Sequence, residues 1–248
     1  MFRWMRVLVL VLGAASLAGC GPRGDATRPV PTAFVPAKQA AQRLVVVLPG
    51  RGDDLAGLRD SGIVQAIQDV WPDADVELAA VTLDYYMQGS AIPRLHDEVI
   101  GPARKRGYRQ IWLSGASMGG MGALLYDGQY PREIDGLVLL APFLGEDGIL
   151  DEVRAAGGLS QWNPGPHQAL SDNTWQRELW RHIKDLSNDP ASAQRVWLAY
   201  GDQDSLGPAI TMMVPALPAD HVRVRPGGHR WTVWTPAMGE LLQAASGK

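Results

Sequence analysis

The sequence predicts an α/β domain in which helices cover both faces of a mostly parallel central sheet. Residues 44–48 (LVVVL) are continuously apolar and β-branched, as expected for a strand buried on both faces. Similar short runs then alternate with segments of helical periodicity. The length of 248 residues fits one large α/β domain or two small ones, and no repeat of 20 to 50 residues recurs.

The predicted elements follow one another from residue 44 onward. The segment Pro-Gly-Arg-Gly at 49–52 ends the first strand, and Asp53 or Asp54 is placed to cap a helix that ends near residue 69. We expect further strands at 76–83, 110–114, 137–140, 195–200 and 221–225, and helices at 92–107, at 118–130 and from 231 onward. Residues 143–194 are mixed and helical, and they are long enough to hold a small helical cap over a site.

Composition and charge exclude several classes of protein. A hydrophobic fraction of 46% argues against disorder as the main state. A single cysteine excludes an internal disulfide framework and a thiolate-rich structural zinc site. The formal net charge of -3 gives no basic surplus for binding nucleic acid. We expect no cofactor and no metal.

The first twenty residues form a segment distinct from the rest of the chain. Arg3 and Arg6 precede an apolar run of about a dozen residues, too short for an ordinary membrane-spanning helix. The run ends in Leu-Ala-Gly-Cys at 17–20, which resembles the lipobox that ends the signal peptide of bacterial lipoproteins, and Cys20 is the only cysteine. The resemblance implies that residues 1–19 are removed and that a diacylated Cys20 anchors the protein in the cell envelope, on the periplasmic or the outer-membrane side. The alternative is a plain secretory signal or short anchor in which Cys20 is incidental.

The N-terminal region predicts where the folded domain begins. Residues 20–42 contain four prolines and little periodicity, so they predict an extended tether. The folded domain is then 43–248, with the possible cap at 143–194.

One motif points to a nucleophile. Residues 115–119 read Gly-Ala-Ser-Met-Gly, which matches G-x-S-x-G, and they lie between a predicted strand and a helix of small residues. A sharp turn there exposes the Ser117 oxygen above the sheet, and the flanking glycines leave room for the turn. The Met118 N–H, at the start of the helix, is then aimed at a developing oxyanion.

A serine hydroxyl needs a base, and one of five histidines has a suitable position. His229 follows Pro-Gly-Gly after the last predicted strand and precedes the last helix. It therefore lies at the strands' carboxyl edge, where ligands collect in open α/β sheets. We interpret His96, His167, His182 and His221 as surface or packing residues.

The acid that would orient the base follows the fifth predicted strand. Residues 201–204 read Gly-Asp-Gln-Asp, and either Asp202 or Asp204 can serve while the other accepts local N–H bonds in the turn. The order Ser, Asp, His along the chain is the one that G-x-S-x-G predicts.

From about residue 44 to the C-terminus, these motifs together resemble the α/β-hydrolase family, most closely its small carboxylesterases. The family's acid segment, G-x-x-D with a proline four residues on, matches Gly201, Asp204 and Pro208 and favours Asp204. Its second oxyanion donor lies after the first strand, which here implies the Arg51 N–H. The departure is Pro49, where the family commonly has histidine.

The resemblance implies a serine hydrolase that cleaves an ester or a related acyl bond of a small molecule. The alternative is a non-catalytic envelope lipoprotein that uses the fold as a binding module. Dinucleotide binding at Gly50-Arg51-Gly52 is disfavoured because Leu55 stands where the third glycine belongs. Tryptophans within 143–194 line an acyl or aromatic pocket or belong to the core. The sequence leaves the substrate and the oligomeric state open.

Overall fold

A computed structural model describes residues 24–247, so Cys20 and the signal peptide lie outside the described residues. Within that range, seven strands form one sheet in the order β1-β3-β2-β4-β5-β6-β7. The pair β1–β3 is antiparallel and every other pair is parallel. The strands are β1 (Thr32–Val35), β2 (Arg43–Leu48), β3 (Ala74–Ala79), β4 (Gln110–Ala116), β5 (Gly136–Leu140), β6 (Val196–Gly201) and β7 (Val222–Arg225).

Helices connect the strands, as the alternation of patterns predicts. They are α1 (Leu55–Asp60), α2 (Ile63–Val70), α3 (Leu83–Met87), α4 (Ala91–Arg94), a π-helical turn (Leu95–Ile100), α5 (Gly101–Lys105), α6 (Met118–Gln129), α7 (Asp147–Ala155), α8 (Trp175–Asn188), α9 (Pro190–Ala193), α10 (Gly207–Met213) and α11 (Trp231–Ser246), with 3-10 turns at Val214–Ala216 and Ala219–His221. None of the helices described has the length and apolarity to cross a bilayer.

The core lies between the sheet and two groups of helices. All of residues 44–48 are fully buried, as their apolar run predicts. Helix α2 packs against α11, and α6 packs against α8. The predicted fold class, a mostly parallel sheet between helices, is confirmed.

The segment predicted to be a tether is partly built into the domain. Residues 32–35 form the edge strand β1, and Ala26 and Val30 are buried in the core. The sequence gives little sign of this because β1 has only four residues, which alternate between exposed and half-buried and include the exposed Phe34. Pro31 and Pro36 favour extended backbone at its ends. The folded unit therefore begins well before residue 43.

Two other predicted boundaries differ from the structure. The single helix expected up to residue 69 is split into α1 and α2 at Gly62, whose φ of 76° lies in the left-handed region. The strand expected at 76–83 ends at Ala79, because Leu83 begins α3 instead. Apolar residues at the end of that run pack between elements, so their hydrophobicity does not mark a strand.

The region between β5 and β6 supplies the crossover helix α8. Trp162 and Trp180 are almost completely buried, and their indole N–H groups donate to Glu152 and to the Leu144 carbonyl. Trp175 is half-buried, with its ring centroid 6.1 Å from that of Phe143. Of the two interpretations of these tryptophans, the core interpretation holds for Trp162 and Trp180.

Candidate active site

Ser117 occupies a strained turn between β4 and α6. Its φ of 53° and ψ of -114° lie outside the regions that L-residues ordinarily adopt. The turn is held by the Ser117 N–H, which donates to the Leu140 carbonyl at 2.8 Å, and by the Ser117 carbonyl, which accepts from Met121 and Phe143 at 3.1 and 2.9 Å. Strain of about 1–3 kcal/mol persists only where the surroundings impose it, and such strain concentrates at functional sites.

The flanking glycines are required by close backbone packing. A Cβ on Gly115 would lie 2.2 Å from the carbonyl group of Gly119, and a Cβ on Gly119 would lie 2.6 Å from the Pro49 oxygen. These distances are far below ordinary contact, and the atoms met belong to backbone. The motif therefore lets the start of α6 press against β4 and the end of β2, which lifts Ser117 above the sheet.

The two segments expected to bind an oxyanion lie beside Ser117. Met118 is the first residue of α6, a twelve-residue helix whose N-terminal N–H groups and dipole favour negative charge. On the other side, a Cβ on Gly50 would lie 3.7 Å from the Ser117 Cβ and 3.8 Å from the Ala116 oxygen. Arg51 is the next residue in that loop.

His229 and Asp204 form a hydrogen-bonded pair. The His229 Nδ1 lies 2.9 and 3.0 Å from the two Asp204 carboxylate oxygens. The Asp204 side chain is fully buried and also accepts from the Leu206 N–H at 2.9 Å, while His229 is half-buried. The Trp234 ring stands edge-on to the imidazole, with centroids 4.6 Å apart. Packing and hydrogen bonding through Nδ1 thus fix the ring's orientation.

Asp202, the other candidate acid, has a different contact. Its side chain is exposed and accepts from the Gly227 N–H at 2.8 Å. This bond joins the loop after β6 to the loop after β7, and so helps to hold the two loops that carry Asp204 and His229 together.

Ser117, Asp204 and His229 all lie at the carboxyl edge of the sheet, because they follow the parallel strands β4, β6 and β7. Within residues 24–247, however, no hydrogen bond joins the Ser117 Oγ to the imidazole, whose Nδ1 is bound to Asp204. Such contacts commonly tighten only when substrate binds.

The structure adds a contact that the sequence reasoning missed. Asp54, not Asp53, caps α1, accepting from the N–H groups of Ala56 and Gly57. Asp53 instead accepts from the Trp231 indole N–H at 2.9 Å. Trp231 packs edge-to-face on Trp234, so the loop that carries Arg51 is tied to the aromatic residues beside His229. The sequence signal was a tryptophan two residues after the candidate base.

The other four histidines make structural contacts. His221 is buried and stacked on Trp197, with ring centroids 3.7 Å apart, and His96 stacks on Tyr130. His167 bonds to Glu178.

His182 belongs to a buried ion-pair network. Its Nε2 lies 2.9 Å from Asp127, which also forms a bidentate pair with Arg195 at 2.6 and 2.7 Å. Burial opposes ionisation of Asp127, but hydrogen bonds from His182 and Arg195 outweigh burial and hold the pKa of that carboxyl below its usual value.

Comparisons with known proteins identify relatives of this chain. Residues 96–200 match the family model described as serine aminopeptidase, S33. No curated protein matches the sequence significantly.

Many solved structures are similar to this chain across most of its length. Est1E from Butyrivibrio proteoclasticus has a TM-score of 0.57 at 14% identity, covering 88% of this chain and 94% of its own. An S-formylglutathione hydrolase from Agrobacterium tumefaciens has a TM-score of 0.56 at 13% identity, covering 90% and 92%. A monoacylglycerol lipase from Paleococcus ferrophilus has a TM-score of 0.55 at 16% identity, covering 88% and 99%.

Proposed function

Because this chain has the α/β-hydrolase fold and resembles the serine aminopeptidase family over residues 96–200, we propose that it is a carboxylesterase-like serine hydrolase. It cleaves an ester or a related acyl bond of a small molecule through an acyl-enzyme. The observation that carries the proposal is the strained Ser117 turn, at the same sheet edge as His229 and the buried Asp204 to which it bonds.

Each residue has one step in the proposed mechanism. The Ser117 Oγ attacks the substrate carbonyl carbon while the His229 Nε2 takes the hydroxyl proton. Asp204 holds the Nδ1 proton and stabilises the imidazolium, and the N–H groups of Met118 and Arg51 bind the oxyanion. The tetrahedral intermediate expels the alcohol, which receives the proton from His229. Water then attacks the acyl-enzyme by the same proton transfers and releases the acid and free Ser117.

A fluorophosphonate probe tests the nucleophile directly, because it phosphonylates only an activated serine. We expect labelling of the wild type and none of Ser117→Ala. Ser187→Ala is the matched control, since Ser187 is exposed on α8 and should not affect labelling. Circular dichroism of all three proteins establishes that they are folded. A folded wild type that is not labelled would contradict the proposal.

The alternative function is a non-catalytic binding module. The observation that favours it is the missing hydrogen bond between Ser117 and His229. It predicts a folded protein that binds an acyl ligand with equal affinity in the wild type and Ser117→Ala, with no turnover in either.

A substrate panel narrows the chemistry. The similar structures include an S-formylglutathione hydrolase and a monoacylglycerol lipase. We therefore suggest p-nitrophenyl esters of graded acyl length beside thioester and aminoacyl substrates. The ratio of kcat/KM across the panel measures which acyl group and which leaving group the site prefers.

We also propose that Cys20 carries the membrane anchor and places the protein in the bacterial cell envelope. The support is the lipobox-like Leu-Ala-Gly-Cys at 17–20. Two acyl chains on one cysteine suffice for stable membrane binding. Metabolic labelling with a palmitate analogue should mark the wild type and not Cys20→Ala. Fractionation of the envelope then distinguishes the inner from the outer membrane.

A further inference from the structure

The N-terminal segment enters the sheet at the edge formed by the carboxyl ends of the parallel strands. This edge carries Ser117 and is called the catalytic edge below. Strand β1 runs antiparallel to β3, and its first residue, Thr32, pairs with Ala79 at the carboxyl end of β3. Strands β3 and β4 are parallel to the β2 that separates them, so the carboxyl end of β3 lies at the same edge as Ser117. The residues that precede β1 therefore approach the domain from the active-site side.

A set of polar contacts fixes those preceding residues. The Arg94 guanidinium donates to the Ala26 and Arg28 carbonyls at 2.9 and 3.0 Å. The Tyr85 hydroxyl donates to the Pro29 carbonyl at 3.1 Å. Ala26 is 4% exposed, so this segment is packed as part of the domain. The position of the N-terminal segment is thus set by the fold as far as Gly24.

Gly24 packs against the element that borders the nucleophile helix. A Cβ on Gly24 would lie 2.0 Å from the Thr82 Oγ1, and Thr82 directly precedes α3. Further along α3, the Tyr86 hydroxyl lies where a Cβ on Gly122 of α6 would be, 2.0 Å away. Helix α3 therefore lies between Gly24 and α6. Its five residues span about 7.5 Å.

Cys20 stands four residues before Gly24. Four residues span at most about 14 Å whatever their conformation. We propose that this short connection holds the catalytic edge against the bilayer, and that the substrates are amphiphilic acyl esters drawn from the membrane. The inference rests on the proposed lipid anchor and on the proposed hydrolase function.

Both the exposed surface and the tether length favour a substrate that is itself in the membrane. Met87 ends α3, the helix that follows the carboxyl end of β3, and its large apolar side chain is 69% exposed. Each methylene of an acyl chain favours partitioning of the ester into lipid. Long-chain esters are therefore concentrated in the membrane. A tether of at most about 14 Å keeps the active site close to that membrane.

Fluorescence quenching tests the orientation without reference to activity. Acylation blocks Cys20, the only native cysteine, so a single introduced cysteine can be labelled. We compare Met87→Cys with Gln110→Cys. Gln110 is exposed at the start of β4, and the strand places it about 20 Å from Ala116, the last residue before Ser117. The lipidated proteins carry an environment-sensitive dye and are reconstituted in phosphatidylcholine vesicles that contain a doxyl-labelled lipid.

We expect the dye at residue 87 to be quenched several-fold more strongly than the dye at residue 110. Equal quenching, or the reverse order, would overturn the orientation. A wild-type protein that carries no acyl chain at Cys20 and does not float with the vesicles would overturn it as well. Neither result depends on turnover, so the proposed hydrolase function is judged separately by fluorophosphonate labelling.

Tether length tests the substrate class. We insert a 20-residue Gly/Ser linker between Arg23 and Gly24 and measure hydrolysis of a long-chain ester in the vesicles and of soluble p-nitrophenyl butyrate. Lengthening the connection from 4 to 24 residues should lower the vesicle rate by roughly tenfold and leave the soluble rate unchanged. An unchanged ratio of the two rates would contradict a membrane substrate.

Discussion

Gly115 leaves no room for a side chain beneath the nucleophile, so Gly115→Ala is expected to disturb the site strongly. The added Cβ would lie 2.2 Å from the carbonyl carbon and oxygen of Gly119 and 2.7 Å from the Gly120 nitrogen. Ordinary contact begins near 3.4 Å, so the first turn of α6 must move by about 1 Å. Overpacking a well-packed core costs about 1–3 kcal/mol, and backbone neighbours place this case near the upper value.

Thermal unfolding and labelling kinetics measure the two consequences. A loss of about 3 kcal/mol corresponds to a fall in Tm of about 6–12 °C for a domain of this size. A displacement of about 1 Å at the nucleophile is expected to slow fluorophosphonate labelling by about a hundredfold.

The matched control is Gly148→Ala in α7, where a Cβ meets no heavy atom within 4 Å. It should raise the stability by about 0.5–1 kcal/mol and leave labelling unchanged. A Gly115→Ala protein with the wild-type Tm and labelling rate would refute the steric account of the motif.

Three further sets of substitutions test separate contacts. Asp204→Asn is expected to lower kcat by about 10⁴-fold. Asp202→Asn keeps the oxygen that accepts from the Gly227 N–H, so its kcat should stay near the wild-type value. The reverse result in steady-state assays would assign the orienting role to Asp202. Trp231→Phe removes the indole donor to Asp53 and should lower kcat about tenfold at constant KM, because such a hydrogen bond to a charged group contributes about 1.5–3 kcal/mol. The control Asp53→Asn retains an acceptor and should keep most of the activity. Asp127→Asn breaks a buried ion pair and should lower the free energy of unfolding at pH 7 by about 3–5 kcal/mol in urea titrations. Because the folded-state pKa of Asp127 is lowered, the stability from its carboxylate is fully present above the unfolded value near 3.8 and is lost as pH falls through the folded pKa. The difference between the two proteins should therefore shrink below about pH 4, and a difference that is independent of pH would exclude the ion pair as its source.

The sequence predicted β2, the turn at Ser117 and the start of α11 because each depends on residues that are close together in the chain. The run LVVVL predicted β2 because five consecutive apolar residues suit a strand buried on both faces. The turn at Ser117 was readable because only glycine fits where backbone atoms approach within 3 Å. The last helix was predicted from about Trp231, and α11 begins there.

The N-terminal part of the domain was not readable in this way. Strand β1 owes its existence to pairing with β3, which lies about forty residues further along the chain, and its own four residues carry little hydrophobic signal. Helix α3 begins inside a run that resembles a strand, because apolar residues are used there for packing between elements. Pairing of this kind is decided by the partner and not by the segment.

The sequence by itself determined the fold class and the nucleophile turn, because each depends on residues close together in the chain. The family resemblance favoured Asp204, but only the tertiary structure shows which aspartate binds His229, since the loop after β7 brings His229 to Asp204 and the Gly227 N–H to Asp202. The contact of Asp53 with Trp231, 178 residues away, has the same origin. Long-range contacts depend on how the strands are ordered in the sheet, and local patterns carry no information about that order.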